Sequence, residues 1–265
     1  MHGQPFEAGN HKGCPTEDCD TGRMETKAEI YWTLFEEAPG GLQPELWLSP
    51  RERDQYRQFK FPKRQSEWLL GRAAAKHLLL HSRPEFSSLS PQTVSISNEP
   101  EGAPYFLLDG GERLAGCISI SHNRKSALCG LSFDEELQVG VDLEWIEPRF
   151  PGMAEDFFSA GEMKRLRDCP AGEQDLPVTI LWSAKEALLK ALRKGLRLDT
   201  RQVEVTNAWL GVSMKSPVDD WVPLQVLYAR DEALHWIAAW QRRGNFVLTA
   251  AVCSRRPVEP LFLRV

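Results

Sequence analysis

Hydrophobic and polar residues alternate strictly over residues 139–144, where Val139, Val141 and Leu143 are separated by Gly140, Asp142 and Glu144. That is the period of a half-buried strand. A second strand is predicted over Glu29 to Phe35, and two hairpins obey the same rule. In one, Cys117 to Ser121 and Ser126 to Phe133 flank His122-Asn123-Arg124-Lys125. In the other, His235 to Trp240 and Phe246 to Cys253 flank Gln241-Arg242-Arg243-Gly244-Asn245. Ser49-Pro50-Arg51-Glu52 and Ser159-Ala160-Gly161-Glu162 read as capping boxes, the first with proline at the opening helical position. A stronger helix follows each, around Trp68 to Lys76 and around Trp182 to Lys190, and then a short β-like run, Val94 to Ser97 and Val203 to Thr206.

These elements recur in the same order. The capping boxes lie 110 residues apart and the β-like runs 109, and Trp68, Arg72 and Lys76 match Trp182, Glu186 and Lys190 at 114. Repetition of this kind predicts an α+β pseudo-dimer of two similar α/β subdomains, residues 28–138 and 139–265. The cleft between them is the expected place for an active site. Residues 1–27 are polar and carry no hydrophobic period, as expected of a disordered leader.

Composition adds bounds. The chain has 265 residues, enough for one large domain or two small ones, and its 42 % hydrophobic content supports a sizeable core. A net charge of −5 argues against a nucleic-acid binder held by bulk electrostatics. No apolar run approaches the ~20 residues of a membrane span, and the start lacks a secretory signal; a cytoplasmic protein with no membrane partner is expected. The six cysteines include no C-x-x-C pair, which removes a zinc ribbon or a redox motif. His2, His11, Cys14 and Cys19 fall in the polar leader and are read as part of it rather than as a metal site. Residues 51–76 hold Arg51, Arg53, Arg57, Lys60, Lys63, Arg64, Arg72 and Lys76 against Glu52, Asp54 and Glu67. A cationic stretch in an acidic protein suggests an anionic ligand or an acidic protein partner.

Candidate chemistry centres on the acids. Asp142 and Glu144 share one face of their strand, ~6.6 Å apart along it. Carboxylates so placed repel unless a cation sits between them, and magnesium takes such ligands together with phosphate and water. A solvated acidic face is the alternative. Glu186 shares a helix face with Trp182 and Lys190; a surface ion pair is the alternative there. In the repeat frame Arg72 stands in the place of Glu186, giving acid for a metal on one side and base for phosphates on the other. Ser121 and His122 fall where a strand enters its turn and can aim donors into a cleft. There is no G-x-S-x-G elbow, Walker loop or G-x-G-x-x-G.

Taken in order, Ser119 to His122 (S-x-S-H), Gly140 to Glu144 (G-x-D-x-E), Phe157 to Glu162 (F-F-S-x-x-E), Trp182 to Lys190 (W-x-x-K-E-A-x-x-K) and Lys194-Gly195-Leu196 resemble the Sfp-type 4′-phosphopantetheinyl transferases. The upstream helix carrying Gly71-Arg72 and Lys76 fits as well, and the resemblance covers roughly residues 28–255. It implies the family's pseudo-dimeric fold with the cofactor between the halves. It also implies a magnesium-dependent transfer of phosphopantetheine from coenzyme A to a serine of an apo acyl or peptidyl carrier protein, releasing adenosine 3′,5′-bisphosphate. By the resemblance, Asp142, Glu144 and Glu186 bind magnesium, and Lys190 meets the phosphates of coenzyme A. Arg72, Lys76, Ser121 and His122 hold the nucleotide, 3′-phosphate included. Glu186 is the general base for the carrier serine, directly or through a water, with Glu144 as the alternative. Two positions depart from the family. Ala103 replaces the lysine of G-K-P, so one phosphate-binding lysine is expected to be missing or to be replaced from the 51–64 cluster, and Lys63 is counted among the nucleotide contacts. Arg193 replaces a glycine and is expected to extend the helix to a Gly195 cap. An internal pseudo-dimer makes a monomer the simpler expectation, with an acidic carrier helix as partner. The rival readings are a non-catalytic binder of coenzyme A or of a carrier, and a magnesium-dependent phosphohydrolase.

Overall fold

The computed structural model describes residues 26–37, 40–150, 152–170, 172–207 and 218–265. His2, His11, Cys14, Cys19 and almost all of the expected leader lie outside the described residues. The first strand opens at Thr26, just inside the range given to the leader.

The chain begins with β1 (Thr26–Glu36), α1 (Pro44–Trp47), α2 (Pro50–Gln58) and α3 (Pro62–Ser82). Then come β2 (Val94–Asn98), β3 (Pro104–Leu108), β4 (Cys117–Asn123) and β5 (Ser126–Ser132). A second series follows: β6 (Gln138–Trp145), α4 (Met153–Phe157), α5 (Ala160–Arg167) and α6 (Asp175–Ala191). It closes with β7 (Val203–Val205), β8 (Val218–Leu224), β9 (Val226–Tyr228), β10 (His235–Arg243), β11 (Phe246–Ser254) and β12 (Val258–Arg264). Two four-stranded sheets result, β12-β1-β5-β4 and β6-β11-β10-β8. Within them β1-β5-β4 corresponds to β6-β11-β10: a strand beside the second arm of a hairpin in each case. The pairs β2–β3 and β7–β9 form matching two-stranded ribbons.

Alternation along the strands stacks four layers. Ala28, Ile30 and Trp32 of β1 and Val139, Val141 and Leu143 of β6 share one core between the sheets, with Leu128, Leu248 and Ala250. On the outer face of the first sheet, Tyr31 and Ile118 pack with Leu70, Ala74 and Leu78 of α3. On the outer face of the second, Trp240, Val247 and Ala251 pack with Ile180, Leu181, Ala184 and Leu188 of α6. The order is therefore helix, sheet, sheet, helix. The last strand crosses back: β12 runs parallel to β1 at the edge of the first sheet, so residues 258–264, which the repeat places with the second half, complete the first.

Both capping boxes form, with Ser49 and Ser159 as caps. Their glutamates do more than cap. Glu52 accepts from the Ile96 amide at 2.9 Å and Glu162 from the Val205 amide at 2.8 Å. Each also meets a fully buried lysine. Lys76 bonds Glu52 and donates to the carbonyls of Trp47 and Pro91; Lys185 bonds Glu162 at 2.8 Å and donates to those of Thr200 and Val203. This duplicated lock fixes the true correspondence of the long helices. Lys76 matches Lys185, 109 residues on, and not Lys190. The register of 114 read from tryptophan and charge is therefore corrected to agree with the other elements, and Arg72 does not stand in the place of Glu186. Among the described residues no helix is long and apolar enough to cross a membrane.

Candidate active site

The even positions of β6 face α6. Gly140 is the contact point: a methyl group there would overlap the Ala187 carbonyl oxygen and the Ala191 amide nitrogen. Only a bare backbone lets the helix lie this close, and that closeness brings Glu186 and Lys190 over Asp142 and Glu144. Gly140→Ala is expected to cost about 1–3 kcal/mol, as overpacking typically does, and to lower activity by lifting α6 away. Urea denaturation and a rate measurement on the same preparation check this.

Asp142 is 4 % exposed. Its Oδ1 accepts from Ser121 Oγ at 2.9 Å and from Lys190 Nζ at 2.7 Å. Its Oδ2 is buried with no hydrogen-bond partner. Lys190 also donates to Ser121 Oγ and to the Val141 carbonyl, both at 3.1 Å. Glu144 is held by Arg149 at 2.9 Å, by Trp182 Nε1 at 3.2 Å and by Asn123 Nδ2 at 3.3 Å. Burial first, and Asp142 second, push the Glu144 carboxyl above its usual value, against the pull of Arg149 and Trp182. Glu186 is raised likewise by burial, Asp142 and Glu144, with Lys190 opposing. Three acids thus feel one another in a half-enclosed site.

Edge strand β4 supplies the facing wall. Ser119 Oγ accepts from the Val141 amide at 3.0 Å, and Cys117, Ser121 and Asn123 make the remaining side-chain links to β6. This seam joins the two sheets where their edges meet and carries Ser121 to Asp142. His122 points the other way. Burial lowers its imidazole pKa, Glu67 opposes, and Arg64 and Lys190 lower it further. The start of α3 therefore lies beside it.

Asp142, Glu144, Glu186, Lys190 and Ser121 are brought together, and His122 stands next to them. Arg72 stacks over the Trp68 ring at 3.9 Å, and burial lowers it to about 10 despite Glu52, with Arg64 adding to the fall. Its Nε is buried without a partner. Lys76 does not join the site: it is fully buried and its amine is saturated by Glu52 and two carbonyls, so it cannot reach a nucleotide. Lys63 is largely exposed, 3.8 Å from Glu67. Arg64, Asn123, Arg149 and Trp182 were not singled out as site residues from the sequence. Trp182 sits inside a motif that was read, and its i−4 position to Glu186 is the signal that its indole shares that face. Arg149 lies in irregular chain, where no period marks it.

Arg193 does not extend the helix. α6 ends at Ala191, and Arg193 N–H to Lys190 O and Lys194 N–H to Leu189 O close a Schellman turn. Arg193 takes its left-handed position, at φ 55°.

Among the described residues no three His, Cys, Asp or Glu side chains are gathered closely enough to hold a metal ion. Lys190 holds one oxygen of Asp142, and Arg149 holds one of Glu144. The chemistry of the donors still fits a hard divalent cation. Asp142 Oδ2 is a buried orphan, and the Glu144 and Glu186 carboxyls are pushed up by burial first and by the charge of Asp142 second, a repulsion that a cation would relieve.

Residues 138–251, from β6 to β11, match the 4′-phosphopantetheinyl transferase superfamily. A putative 4′-phosphopantetheinyl transferase of Synechocystis is 27 % identical over 176 residues, 61 % of this chain and 69 % of that protein. The 4′-phosphopantetheinyl transferase HetI of Nostoc is 27 % identical over 165 residues, 60 % of this chain and 65 % of its own length. The 4′-phosphopantetheinyl transferase Sfp of Bacillus subtilis is 27 % identical over 154 residues, covering 57 % of this chain and 63 % of that one.

Proposed function

We propose that this chain is a member of the 4′-phosphopantetheinyl transferase superfamily and moves the phosphopantetheine arm of coenzyme A onto a serine of an apo acyl or peptidyl carrier protein. The observation that carries the reading is Asp142: one oxygen held by Lys190 and Ser121, the other buried and without a partner, beside two glutamates of raised pKa. A buried carboxylate oxygen left unpaired is costly unless something charged completes it.

Asp142, Glu144 and Glu186 would hold magnesium, which when bound supplies positive charge to the pyrophosphate oxygens. Glu186 takes the proton from the carrier serine hydroxyl. A carboxylate pushed up toward neutrality is a better base than an ordinary one. The serine oxygen forms a bond to the β-phosphorus as the bond to the bridging pyrophosphate oxygen breaks, and adenosine 3′,5′-bisphosphate leaves with its electron pair. Lys190, already poised on Asp142, turns its ammonium to the phosphate oxygens and stabilises the charge that develops there. Ser121 and His122 position the nucleotide part, with Arg72 behind them. The partner is an acidic carrier helix. The internal pairing of two similar sheets favours a monomer, and the reading includes a cytoplasmic location.

Incubation with a fluorescent coenzyme A analogue, several apo carriers and Mg²⁺ tests the reading. A covalently labelled carrier is expected, with loss of label on chelation and recovery on adding Mg²⁺ back. No label on any carrier, with coenzyme A still bound, would leave a non-catalytic binder. Phosphate release from small nucleotides without a carrier would instead indicate a hydrolase.

A further inference from the structure

The lysine locks set the two long helices in a register of 109 residues, and that register gives the acid cluster a counterpart in the first half. His77 and His81 of α3 stand where α6 carries Glu186 and Lys190. Thr33 and Phe35 of β1 stand where β6 carries Asp142 and Glu144. The contacts follow the same plan. Glu186 feels the charge of Glu144, and the Phe35 and His77 ring centroids lie 5.4 Å apart. None of the four counterpart positions holds a carboxylate, and two hold imidazoles.

His77 and His81 are four residues apart on one helix, the spacing by which zinc-binding helices present two histidines from one face. Their ring centroids are 4.3 Å apart. His81 is exposed and His77 half-buried. The His81 Nδ1 lies 2.8 Å from the His77 carbonyl oxygen. A carbonyl only accepts, so Nδ1 carries the proton and the neutral ring keeps its lone pair on Nε2. A bond of this kind from the second ring nitrogen is the usual support of a metal-bound histidine. Among the described residues the His77 ring makes only ring contacts, with His81 and with Phe35, which packs edge-on against Trp47. Burial first, and His81 second, lower the His77 imidazole pKa. The neutral ring that results at pH 7 is the form that ligates a metal.

We propose that His77 and His81 together bind one divalent d-block ion, of the Zn²⁺, Ni²⁺ and Cu²⁺ class, at a site separate from the acid cluster. Imidazole nitrogen suits these ions, whereas magnesium takes oxygen ligands. The two halves therefore sort cations by ligand type: carboxylates on β6 and α6 for a hard ion, imidazoles on α3 for a softer one. Among the described residues no third His, Cys, Asp or Glu side chain completes the pair, so water fills the remaining coordination positions. An ion held by both rings ties one turn of α3 to the next and stabilises the folded chain.

Calorimetric titration of the full chain with Zn²⁺ and with Cu²⁺, in excess Mg²⁺, tests this for the wild type, His81→Gln and the double variant His77→Gln/His81→Gln. His81 is exposed, so its replacement leaves the core intact. The wild type is expected to bind one ion at the pair, Cu²⁺ more tightly than Zn²⁺. His81→Gln should weaken binding by at least the ~10–100-fold that loss of an outer-shell partner alone costs, and the double variant should lose the site. The electron paramagnetic resonance spectrum of the Cu²⁺ form should show two imidazole nitrogens in the wild type and one in His81→Gln. No binding by the wild type, or unchanged binding by the double variant, overturns the assignment. Asp142→Asn separates the two sites: it should leave Zn²⁺ binding as it was. A fall there, with none in the histidine variants, would put the ion at the acids and end the proposal. Carrier labelling in Mg²⁺ alone tests the transferase reading independently of each of these results.

Discussion

Glu186→Gln is expected to abolish transfer while making the protein harder to unfold. The fall in turnover should be at least ~10²–10⁴-fold, the usual contribution of a general base, and larger if a metal ligand is lost with it. Coenzyme A binding should largely survive, because Lys190 and Ser121 remain. The gain in stability follows from the sign of the pKa shift. Burial, Asp142 and Glu144 together hold the Glu186 carboxyl above its usual 4.5. A carboxylate whose folded pKa is raised costs stability once pH exceeds the folded value, and the cost disappears as pH falls below the unfolded one. Glutamine never ionises, so it avoids that cost at neutral pH. A rise of about 2–4 °C in Tm corresponds to 1 kcal/mol in a chain of this size. Scanning calorimetry in the absence of Mg²⁺ should find the advantage at pH 7 and see it shrink toward pH 4. A near-wild-type rate would remove Glu186 from the base role, and a lowered Tm at pH 7 would show that its carboxylate is stabilised rather than strained.

Replacing either buried lysine should produce the largest losses of stability. Lys76→Met leaves Glu52 buried and unpaired, and strands the carbonyls of Trp47 and Pro91. Lys185→Met does the same to Glu162, Thr200 and Val203. Breaking one side of a buried pair costs about 3–5 kcal/mol, so Tm should fall by roughly 10 °C in each variant. Similar geometry predicts similar losses. The kinetic readout separates this role from ligand binding. If Lys76 is only a lock, the folded fraction of Lys76→Met keeps a wild-type KM for coenzyme A. A nucleotide contact would give the reverse pattern: a raised KM with little change in Tm.

The same lysines explain where the sequence could and could not be read. Local signals survived intact. The 139–144 alternation became β6, both capping boxes formed, and both hairpins appeared, though with tighter turns than predicted: His122, Asn123 and Gln241 to Arg243 pair within the strands, leaving only Arg124-Lys125 and Gly244-Asn245 between them. Each depends on neighbours a few residues away. The alignment of α3 with α6 failed because tryptophan, charge and lysine recur in both at equal spacing, whereas the real anchor is a lysine bonded to a glutamate in another helix. Nothing in the local pattern distinguishes a buried lysine from an exposed one. β12 was missed for a related reason: it pairs with a strand more than two hundred residues earlier, and Pro260 weakens its strand signature. In the site, the acids, Lys190 and Ser121 were legible from periodicity and motif. Arg149 and Asn123 were not, since only the folded seam brings them to Glu144.

The most direct test of the central claim is the intact mass of an apo carrier protein after incubation with this chain, coenzyme A and Mg²⁺. The account predicts a gain of one phosphopantetheine group, located on the carrier serine, with one adenosine 3′,5′-bisphosphate released per carrier modified. It also predicts no gain when Asp142→Asn replaces the wild type or when the carrier serine is alanine. A panel of apo carriers that bind yet keep their mass, with coenzyme A bound by the wild-type chain, would contradict it.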